Sequence, residues 1–513
     1  MSKRIRSERG HLARIERAAR MDRKGLSDSG VRFFFAVVIA AALVIATFEP
    51  STGSYSSAQS LRLCGECPGF ADAQQTAARN AALIAATQDL LKQTSEIRQL
   101  SILRPVQSSA QSRAEIERAL IKSLDEDTTP AEIHANEITL KKLGLAPMDF
   151  QYRALMLRVL TEQVAGYYDP KTRQFHLADW IDLDGQKPIM AHELTHALQD
   201  QHFNLRRFEH WPKGDSDAEL AAHALIEGDA TLAMALYVAN NPLVALAFLK
   251  SLGASGMASE ELDKAPRALR ESLLFPYQDG EKWVNALYKR GGWNEVSQAF
   301  TTLPQSTEQI LHPEKYFAHE APVKVALPDI ASLLNRSERP ADRGPRAGSP
   351  RGVVDAGAPS TRKSVPLPIA AGLAGGSRTQ PGWKKLDSDV QGEWGFYLIL
   401  DQFLKSPGES RRAAAGWGGD RFAVYEGPKG KALIASLSVW DTENDAREFF
   451  DAYVKRTKLR YPEAAYLPDP GLMRVLETGG GEVIIEIRGT RVLIVDGIPD
   501  RVDERPLLKA LWS

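Results

Sequence analysis

The segment His192-Glu193-Leu194-Thr195-His196 contains three side chains whose types and spacing suit metal-dependent hydrolysis. Residues four apart on a helix lie on one face about one turn apart, so both imidazoles can hold a single Zn²⁺ at ~2.0–2.1 Å. Glu193 follows the first histidine, where its carboxylate can take a proton from a water on the metal and pass it to a leaving amine. The segment therefore predicts a zinc-dependent peptidase with His192 and His196 as ligands and Glu193 as general base.

A catalytic zinc site needs a third protein ligand and one open position for water. Glu227 can supply this ligand, because it lies in the segment ALIEGDAT (224–231) on a second predicted helix that can pack across the site. His202 is the alternative, since it follows His196 by six residues, the spacing of an H-E-x-x-H-x-x-G-x-x-H site. In this sequence Gln199 occupies the glycine position of that pattern, and glutamine is a good helix former. On a continued helix His202 would lie ~240° from His196, so the sequence favours Glu227.

Other side chains near the motif have expected roles. Asp200 follows His196 by one turn and is expected to orient a ligand histidine. Asp229 lies ~200° around the helix from Glu227, which favours structural pairing over ligation. The chemistry also needs a donor that stabilises the oxyanion, for which the candidates are Tyr168, His312 and Tyr316. A structural role is the alternative for His312 and Tyr316.

The apolar periodicity predicts that the first part of the chain is mostly helical. Ser112 and Glu115 form a capping box at the start of one helix, and Gly144 marks the end of the next. Aromatic and β-branched runs around Pro170 predict a β-hairpin, and Pro188 suits the first turn of the helix that carries the motif. The predicted helices are 71–97, one starting at 112, 131–143, 150–163, one starting near 188, and 217–238, and the hairpin strands are 164–169 and 174–178.

The last third of the chain has a different pattern. Residues 337–382 are rich in Pro, Gly, Arg and Ser, which predicts a flexible linker. Beyond the linker, strand-like runs alternate with amphipathic helices, at 422–426, 433–440 and 443–455, then 483–487, 492–495 and 506–511. All ten histidines and both cysteines lie before residue 320, so no metal chemistry is expected in this part. The predicted fold class is α+β.

The first 48 residues have the pattern of an export or anchor segment. Residues 1–32 carry ten Lys or Arg and four Asp or Glu, a local net charge of +6, whereas the whole chain of 513 residues has a net charge of −1. Phe33–Phe48 follows without a charge and would span ~24 Å as a helix, against a hydrocarbon core of ~30 Å. It is a short membrane anchor or the core of a signal peptide. The basic flank predicts that the residues after it lie on the non-cytoplasmic side.

The chain thus divides into six predicted segments. They are a basic cytoplasmic N-terminus (1–32), the anchor or signal segment (33–48), a tether (49–70), a catalytic domain (71–336), the linker (337–382) and a C-terminal α+β accessory domain (383–513). Cys64 and Cys67 in the tether have no second pair with which to form a zinc site, so a local disulfide is expected on the exported side. The near-neutral net charge does not indicate a nucleic-acid partner.

The motifs also carry a family resemblance. HELTHALQDQHF (192–203) followed by ALIEGDAT resembles the gluzincin group of zinc metallopeptidases, in which a glutamate on the next helix is the third ligand. VAGYYDPKTRQFHL (164–177) and STEQILHPEKYF (306–317) resemble, more closely, a set of exported bacterial proteins regarded as zinc metallopeptidases. The likeness covers about residues 90–320 and, more weakly, 416–427.

The resemblance implies a mostly helical, zincin-like catalytic domain with a small sheet before the motif helix. It implies Zn²⁺ held by His192, His196 and Glu227, and a peptide or protein substrate. It also implies an edge strand, near 174–178 or its hairpin mate, that holds the substrate in an extended conformation.

Two other functions stay open. One is a peptidase that uses His202 as the third ligand. The other is a membrane-associated binding or scaffold protein that is stabilised by zinc and has no turnover. Glu193 argues against the scaffold, because a structural zinc site does not need a general base.

Overall fold

The computed structural model describes residues 70–163, 165–180, 183–255, 260–336, 382–469, 471–478, 480–500 and 502–513. Outside these residues lie the predicted basic segment, the apolar segment, the tether up to residue 69, with Cys64 and Cys67, and nearly all of the linker. The fold class is α+β, as predicted, with a helical region followed by a C-terminal region built on an antiparallel sheet.

The first four helices agree closely with the predicted ones. Ser112 and Glu115 form the expected capping box, and Gly144 ends the third helix with a φ of 74°, a left-handed conformation that favours glycine. The helices are α1 (Phe70–Arg98), α2 (Arg113–Asp127), α3 (Pro130–Leu143) and α4 (Tyr152–Gln163).

A three-stranded sheet precedes the motif helix. The predicted hairpin is present as β2 (Gly166–Asp169) and β3 (Gln174–Ala178), paired antiparallel. A strand that was not predicted, β1 (Gln107–Gln111), pairs with β3 in parallel, so the order is β1-β3-β2. Of the two candidates for the edge strand, residues 174–178 form the central strand, because β1 covers that side of β3. Its hairpin mate β2 is the edge strand next to the motif helix.

The motif helix, α5 (Leu183–Phe203), begins five residues before the predicted start, so Pro188 lies inside the helix and not in its first turn. Residues 188–200 are all buried, because α5 packs against α1, β2 and the two helices that follow it. After a 3₁₀ turn at Leu205–His210, the remaining helices of this region are α6 (Ser216–Asn240), α7 (Pro242–Ser255), α8 (Glu260–Lys264), α9 (Arg267–Ala299), α10 (Thr307–Leu311), α11 (Pro313–Phe317) and α12 (Ala331–Arg336).

The C-terminal region is a seven-stranded antiparallel sheet with helices on both faces. Alternate residues of the strands face opposite layers, as the pleat requires: Val492 and Ile494 face α13 and α15, whereas Leu493 and Val495 face α12 and α16. The strand order is β4-β5-β6-β10-β9-β8-β7. The elements are β4 (Lys384–Asp389), α13 (Gly392–Leu404), α14 (Pro407–Ala414), β5 (Trp417–Glu426), β6 (Ala432–Trp440), α15 (Glu443–Arg460), β7 (Ala465–Asp469), β8 (Leu472–Thr478), β9 (Gly481–Arg488), β10 (Arg491–Ile498) and α16 (Glu504–Leu511).

The helical region and the C-terminal region share one hydrophobic core. The rings of Phe275 on α9 and Trp394 on α13 lie 4.7 Å apart. The fully buried Arg456 on α15 donates hydrogen bonds to the carbonyl oxygens of Leu143 and Ile399. Separation would expose apolar surface on both sides and break the hydrogen bond between Arg456 and the carbonyl oxygen of Leu143. We therefore do not expect residues 71–336 to fold without the C-terminal region, although the sequence suggests two separable domains.

Among the described residues, no single helix has the length and apolarity needed to cross a membrane. Residues 216–248, in α6 and the first half of α7, meet those criteria only as a pair, which is bent by 112°.

Candidate metal centre

Three side chains from two helices converge at one buried point. The Nε2 atoms of His192 and His196 on α5 lie 3.1 Å apart. Glu227 on α6 places its Oε2 3.1 Å from His192 Nε2 and 3.4 Å from His196 Nε2. His192 is fully buried, and His196 and Glu227 are 3% and 6% exposed. The residues that the motif and its spacing selected are therefore neighbours in space.

These separations fit a tetrahedral zinc site. Two ligands that each lie ~2.0–2.1 Å from a tetrahedral Zn²⁺ are ~3.3–3.4 Å apart, close to the three distances between these atoms. Two imidazole nitrogens and a carboxylate oxygen are also the donor types that catalytic zinc takes from proteins. Without a cation or a proton among them, their lone pairs would repel one another in a buried space. The donor set thus fits zinc in both chemistry and spacing.

The glycine after Glu227 lets another helix approach closely. A Cβ atom at Gly228 would lie 2.3 Å from the carbonyl carbon and oxygen of Gly280 on α9, and one at Gly280 would lie 2.3 Å from the carbonyl oxygen of Ala224. Helix backbones can approach this closely only where side chains are absent or very small. The close packing of α6 and α9 fixes the position of the helix that carries Glu227.

Hydrogen bonds from Gln199 connect His196 to α6, the helix that carries Glu227. Its Nε2 donates to Ile226 O at 3.0 Å and to Asp229 Oδ2 at 2.9 Å. Both partners are acceptors, which fixes the orientation of the amide and leaves Oε1 to accept from His196 Nδ1 at 2.9 Å. With the proton on Nδ1, the lone pair of His196 Nε2 is free to bind a metal. This contact fixes both the tautomer and the ring orientation of His196.

Asp229 extends the connection to α1. Arg98 Nε donates to Asp229 Oδ1 at 2.5 Å, and both side chains are fully buried. Arg98 Nη1 donates to Ser297 on α9 at 3.2 Å, and its guanidinium lies 4.4 Å from the centre of the Trp293 ring. The predicted structural pairing of Asp229 is thus present. Arg98 was not singled out from the sequence, and Gln199 was considered there only as a helix former. Together they connect α1, α5, α6 and α9 around His192, His196 and Glu227.

Glu193 lies beside His192 and is hydrogen-bonded to strand β2. Its Oε2 accepts from the backbone N–H of Tyr168 on β2 at 2.7 Å. Its Oε1 lies 3.9 Å from His192 Nε2 and has no hydrogen-bond partner in the described part of the chain. A buried carboxylate oxygen without a partner is costly, which fits a site where a water or a substrate proton completes the hydrogen bonding.

Burial and neighbouring charge shift the pKa values of these groups. Burial raises the pKa of Glu193 to about 8, and the Glu227 carboxylate adds to the rise although His196 opposes it. Burial lowers the pKa of His196, but Glu227 and Glu193 outweigh that effect and raise it to about 9. For Glu227 burial acts upward, whereas the two histidines hold its pKa near 2. The Glu227 carboxylate therefore stays ionised and attracts positive charge to this point.

His202 does not join the group. It lies at the end of α5, and its Nε2 is 2.7 Å from the carbonyl oxygen of Ser101. Because α5 continues through Gln199 to Phe203 without a break, the turn that would bring His202 back to the site does not form. The geometry therefore favours Glu227 over His202 as the third ligand.

The predicted roles of several neighbours change. Asp200 does not orient a histidine: it accepts from Tyr168 Oη at 3.0 Å, from Arg104 at 2.7 Å and from the backbone N–H of Leu205 at 3.1 Å. The Tyr168 hydroxyl, one candidate for oxyanion stabilisation, is therefore directed to Asp200. The contribution of Tyr168 to the site is its backbone N–H.

The other two candidates for the oxyanion role make contacts elsewhere. His312 Nε2 lies 2.9 Å from Glu393 on α13, and Tyr316 Oη donates to the carbonyl oxygen of Thr302 at 2.8 Å. Tyr277 on α9, which the sequence did not single out, stacks on His192 at 6.1 Å between ring centres. Tyr277 thus packs against one of the two histidines of the motif.

A second group of acids resembles a metal site but encloses a lysine. Glu308, Glu320 and Asp441 lie close together, and Lys315 Nζ is 2.7, 2.7 and 2.6 Å from them. The ammonium group offsets part of the negative charge of the carboxylates and ties α11 to the C-terminal region. Unlike the histidine group, this cluster already contains its cation.

Comparisons with known proteins identify only the C-terminal region. Residues 379–506 match a family model described as "Domain of unknown function (DUF8575)". These residues include the whole seven-stranded sheet but none of His192, His196 and Glu227. No curated protein and no solved structure matches the chain.

Proposed function

We propose that this protein is a zinc-dependent peptidase of the gluzincin type. The observation that carries the proposal is the convergence of His192 Nε2, His196 Nε2 and Glu227 Oε2 at 3.1–3.4 Å from one another. Three protein ligands leave the fourth tetrahedral position open, which distinguishes a catalytic zinc site from a structural one.

The second support is the position of Glu193. A structural zinc site has no use for a buried carboxylate that points one oxygen at the ligands and has no partner for it. This observation favours turnover over a zinc-stabilised scaffold.

The residues of the chain have distinct tasks in this reaction. His192, His196 and Glu227 would hold the ion, and Gln199 keeps His196 in the binding tautomer. When bound, zinc supplies a Lewis acid for the scissile carbonyl and a positive charge that favours ionised Glu193. Glu193 then accepts a proton from the attacking water at Oε1 and delivers it to the leaving amine nitrogen. The Tyr168 N–H holds Oε2 and so aims the carboxylate.

The sheet supports an extended peptide as substrate. Strand β2 pairs on one side with β3, and the N–H of Tyr168 on its other side reaches Glu193. A peptide that paired with the remaining main-chain groups of this edge strand would run beside the base, by the kind of pairing that sheet edges offer. Because Glu193 and the three ligands are at least 94% buried, the elements around the site must move apart to admit the peptide.

Glu193→Gln tests the proposal, because it keeps the size of the side chain and removes the base. The variant should retain one zinc per chain while peptide hydrolysis falls by ~10²–10⁴, the usual contribution of a general base. Glu117→Gln, at an exposed position on α2, is the matched control and should hydrolyse peptides like the wild type.

Two results would count against the proposal. Hydrolysis at the wild-type rate by Glu193→Gln would show that this carboxylate is not the general base. Zinc-loaded wild type that cleaves nothing in a broad peptide library would favour the scaffold.

A further inference from the structure

A cavity of about 280 Å³ lies between the helical region and the C-terminal region. It is lined by α3 and α4, by the starts of α6 and α9, and by β4, β5 and α13. Asp217, in its wall, precedes Glu227 by ten residues on α6, ~15 Å along the helix axis. The cavity is therefore separate from the metal centre, and a ligand bound in it would not require the proposed peptidase activity.

Every acidic or basic side chain in the cavity wall is an aspartate. Asp217, Asp387 and Asp389 line it, and no Lys, Arg or His does. Within the described ranges none of the three forms an ion pair with a basic side chain, and the only partners of Asp217 and Asp389 are neutral backbone and hydroxyl groups. Asp217 is 3% exposed, Asp389 is half-buried and Asp387 is exposed. A positively charged ligand beside them would favour their ionised forms and would supply the cation that the cavity wall lacks.

The uncharged residues of the cavity wall indicate which other chemical groups such a ligand would carry. Leu140, Leu143, Leu145 and Leu398 line the cavity and suit an aliphatic group. Trp394 also lines it and is 5% exposed, and its indole N–H has no acceptor in the described part of the chain. Because a tryptophan N–H only donates, a ligand that satisfies it must offer an acceptor such as a carbonyl oxygen.

We propose that this cavity binds a primary ammonium group joined to an aliphatic side chain and a carbonyl, the chemistry found at the amino terminus of a peptide. The ammonium group would lie among the three aspartates, the side chain against the leucines and the carbonyl on the Trp394 N–H. The volume is near the lower end of small-molecule sites, ~300–1,000 Å³, so the site holds about one residue. The proposal thus assigns an amine-binding function to the junction formed by the family-matched region.

Calorimetric titration of the full chain with L-leucinamide tests the site, with N-acetyl-L-leucinamide as the uncharged comparison. Both titrations are run with and without a zinc chelator, because an amine could also bind a metal. We expect one molecule of L-leucinamide per chain regardless of the chelator, and binding at least about tenfold weaker for the acetylated compound, since hydrogen bonds to charged groups contribute ~1.5–3 kcal/mol.

Three variants locate the binding. Asp389→Asn keeps an oxygen for the N–H groups of Ser216 and Val390 but removes the charge, and should weaken binding about tenfold. Ser272→Phe places a ring in the cavity and should abolish it. Asp451→Asn, at an exposed position on α15 outside the cavity, should bind like the wild type. Thermal unfolding without ligand shows whether each variant is folded. If Ser272→Phe does not fold, the result for Asp389→Asn alone decides whether the amine binds in this cavity.

Three results would overturn the proposal. They are no binding of L-leucinamide at millimolar concentrations, equal binding of the acetylated compound, and unchanged binding by Asp389→Asn. Binding that disappears with the chelator would place the amine at the metal centre, which would also refute a site in this cavity.

Discussion

Replacing Gln199 by Met should weaken zinc binding, because Gln199 is the only described partner of His196 Nδ1. Methionine has a similar length and shape but can neither accept from His196 nor donate to Ile226 O and Asp229 Oδ2. The change leaves all three proposed metal ligands in place. It therefore tests whether the contact from α5 to α6 holds His196 ready for the metal.

The structure sets the expected size of the effect. Three buried hydrogen bonds are lost, of 2.9, 3.0 and 2.9 Å. Two neutral bonds and one to a charged group together contribute ~2.5–6 kcal/mol to the free energy of unfolding. The loss of a partner that orients a ligand histidine should raise the zinc dissociation constant ~10–100-fold.

Zinc competition with a chromophoric chelator measures the affinity, and urea unfolding measures the stability. Thr195→Val is the matched control, since it removes one buried hydrogen bond on the same helix, from Thr195 Oγ1 to Ala191 O at 2.8 Å, without contacting a ligand. It should cost ~1 kcal/mol of stability and leave the zinc affinity within about twofold of wild type. An unchanged zinc affinity in folded Gln199→Met would refute the reasoning.

Two further predictions concern the junction with the C-terminal region. Burial raises the pKa of Asp217 to about 8 from an ordinary 3.8. Between these two pH values the folded protein keeps a proton on Asp217 that the unfolded chain releases. The free energy of unfolding should therefore fall as the pH rises towards 8. The melting temperature of Asp217→Asn minus that of the wild type should thus increase between about pH 5 and about pH 9. A difference that does not change with pH would contradict the raised pKa of Asp217. A chain that ends at Arg336 should aggregate on gel filtration because the core is shared, and a soluble, zinc-binding monomer would contradict the shared core.

Local patterns made much of the fold predictable. Caps and periodicity placed α1 to α4 and α6 within a few residues, because these signals depend on neighbours in the sequence. The site residues could be predicted in the same way. His192 and His196 follow from their helical spacing, and Glu227 from its place on the following helix. These are the three side chains that the structure brings together.

Features that depend on distant parts of the chain could not be predicted in this way. Strand β1 pairs with β3 across more than sixty residues, and the short polar run at 107–111 carries no alternation that would mark it as a strand. The link from Gln199 to Arg98 passes through Asp229, 131 residues from Arg98. The shared core escaped prediction because apolar residues on each side of the linker look sufficient for two separate cores.

The most direct test of the zinc site is metal analysis of the purified full chain beside two variants. Wild type should contain one zinc per chain. Glu227→Ala should lose both metal and hydrolysis, because the carboxylate oxygen at 3.1 and 3.4 Å from the histidine nitrogens completes the set of three ligands. His202→Ala should keep both, since its imidazole contacts Ser101 instead. The reverse result, with zinc lost in His202→Ala and retained in Glu227→Ala, would contradict the proposed zinc site.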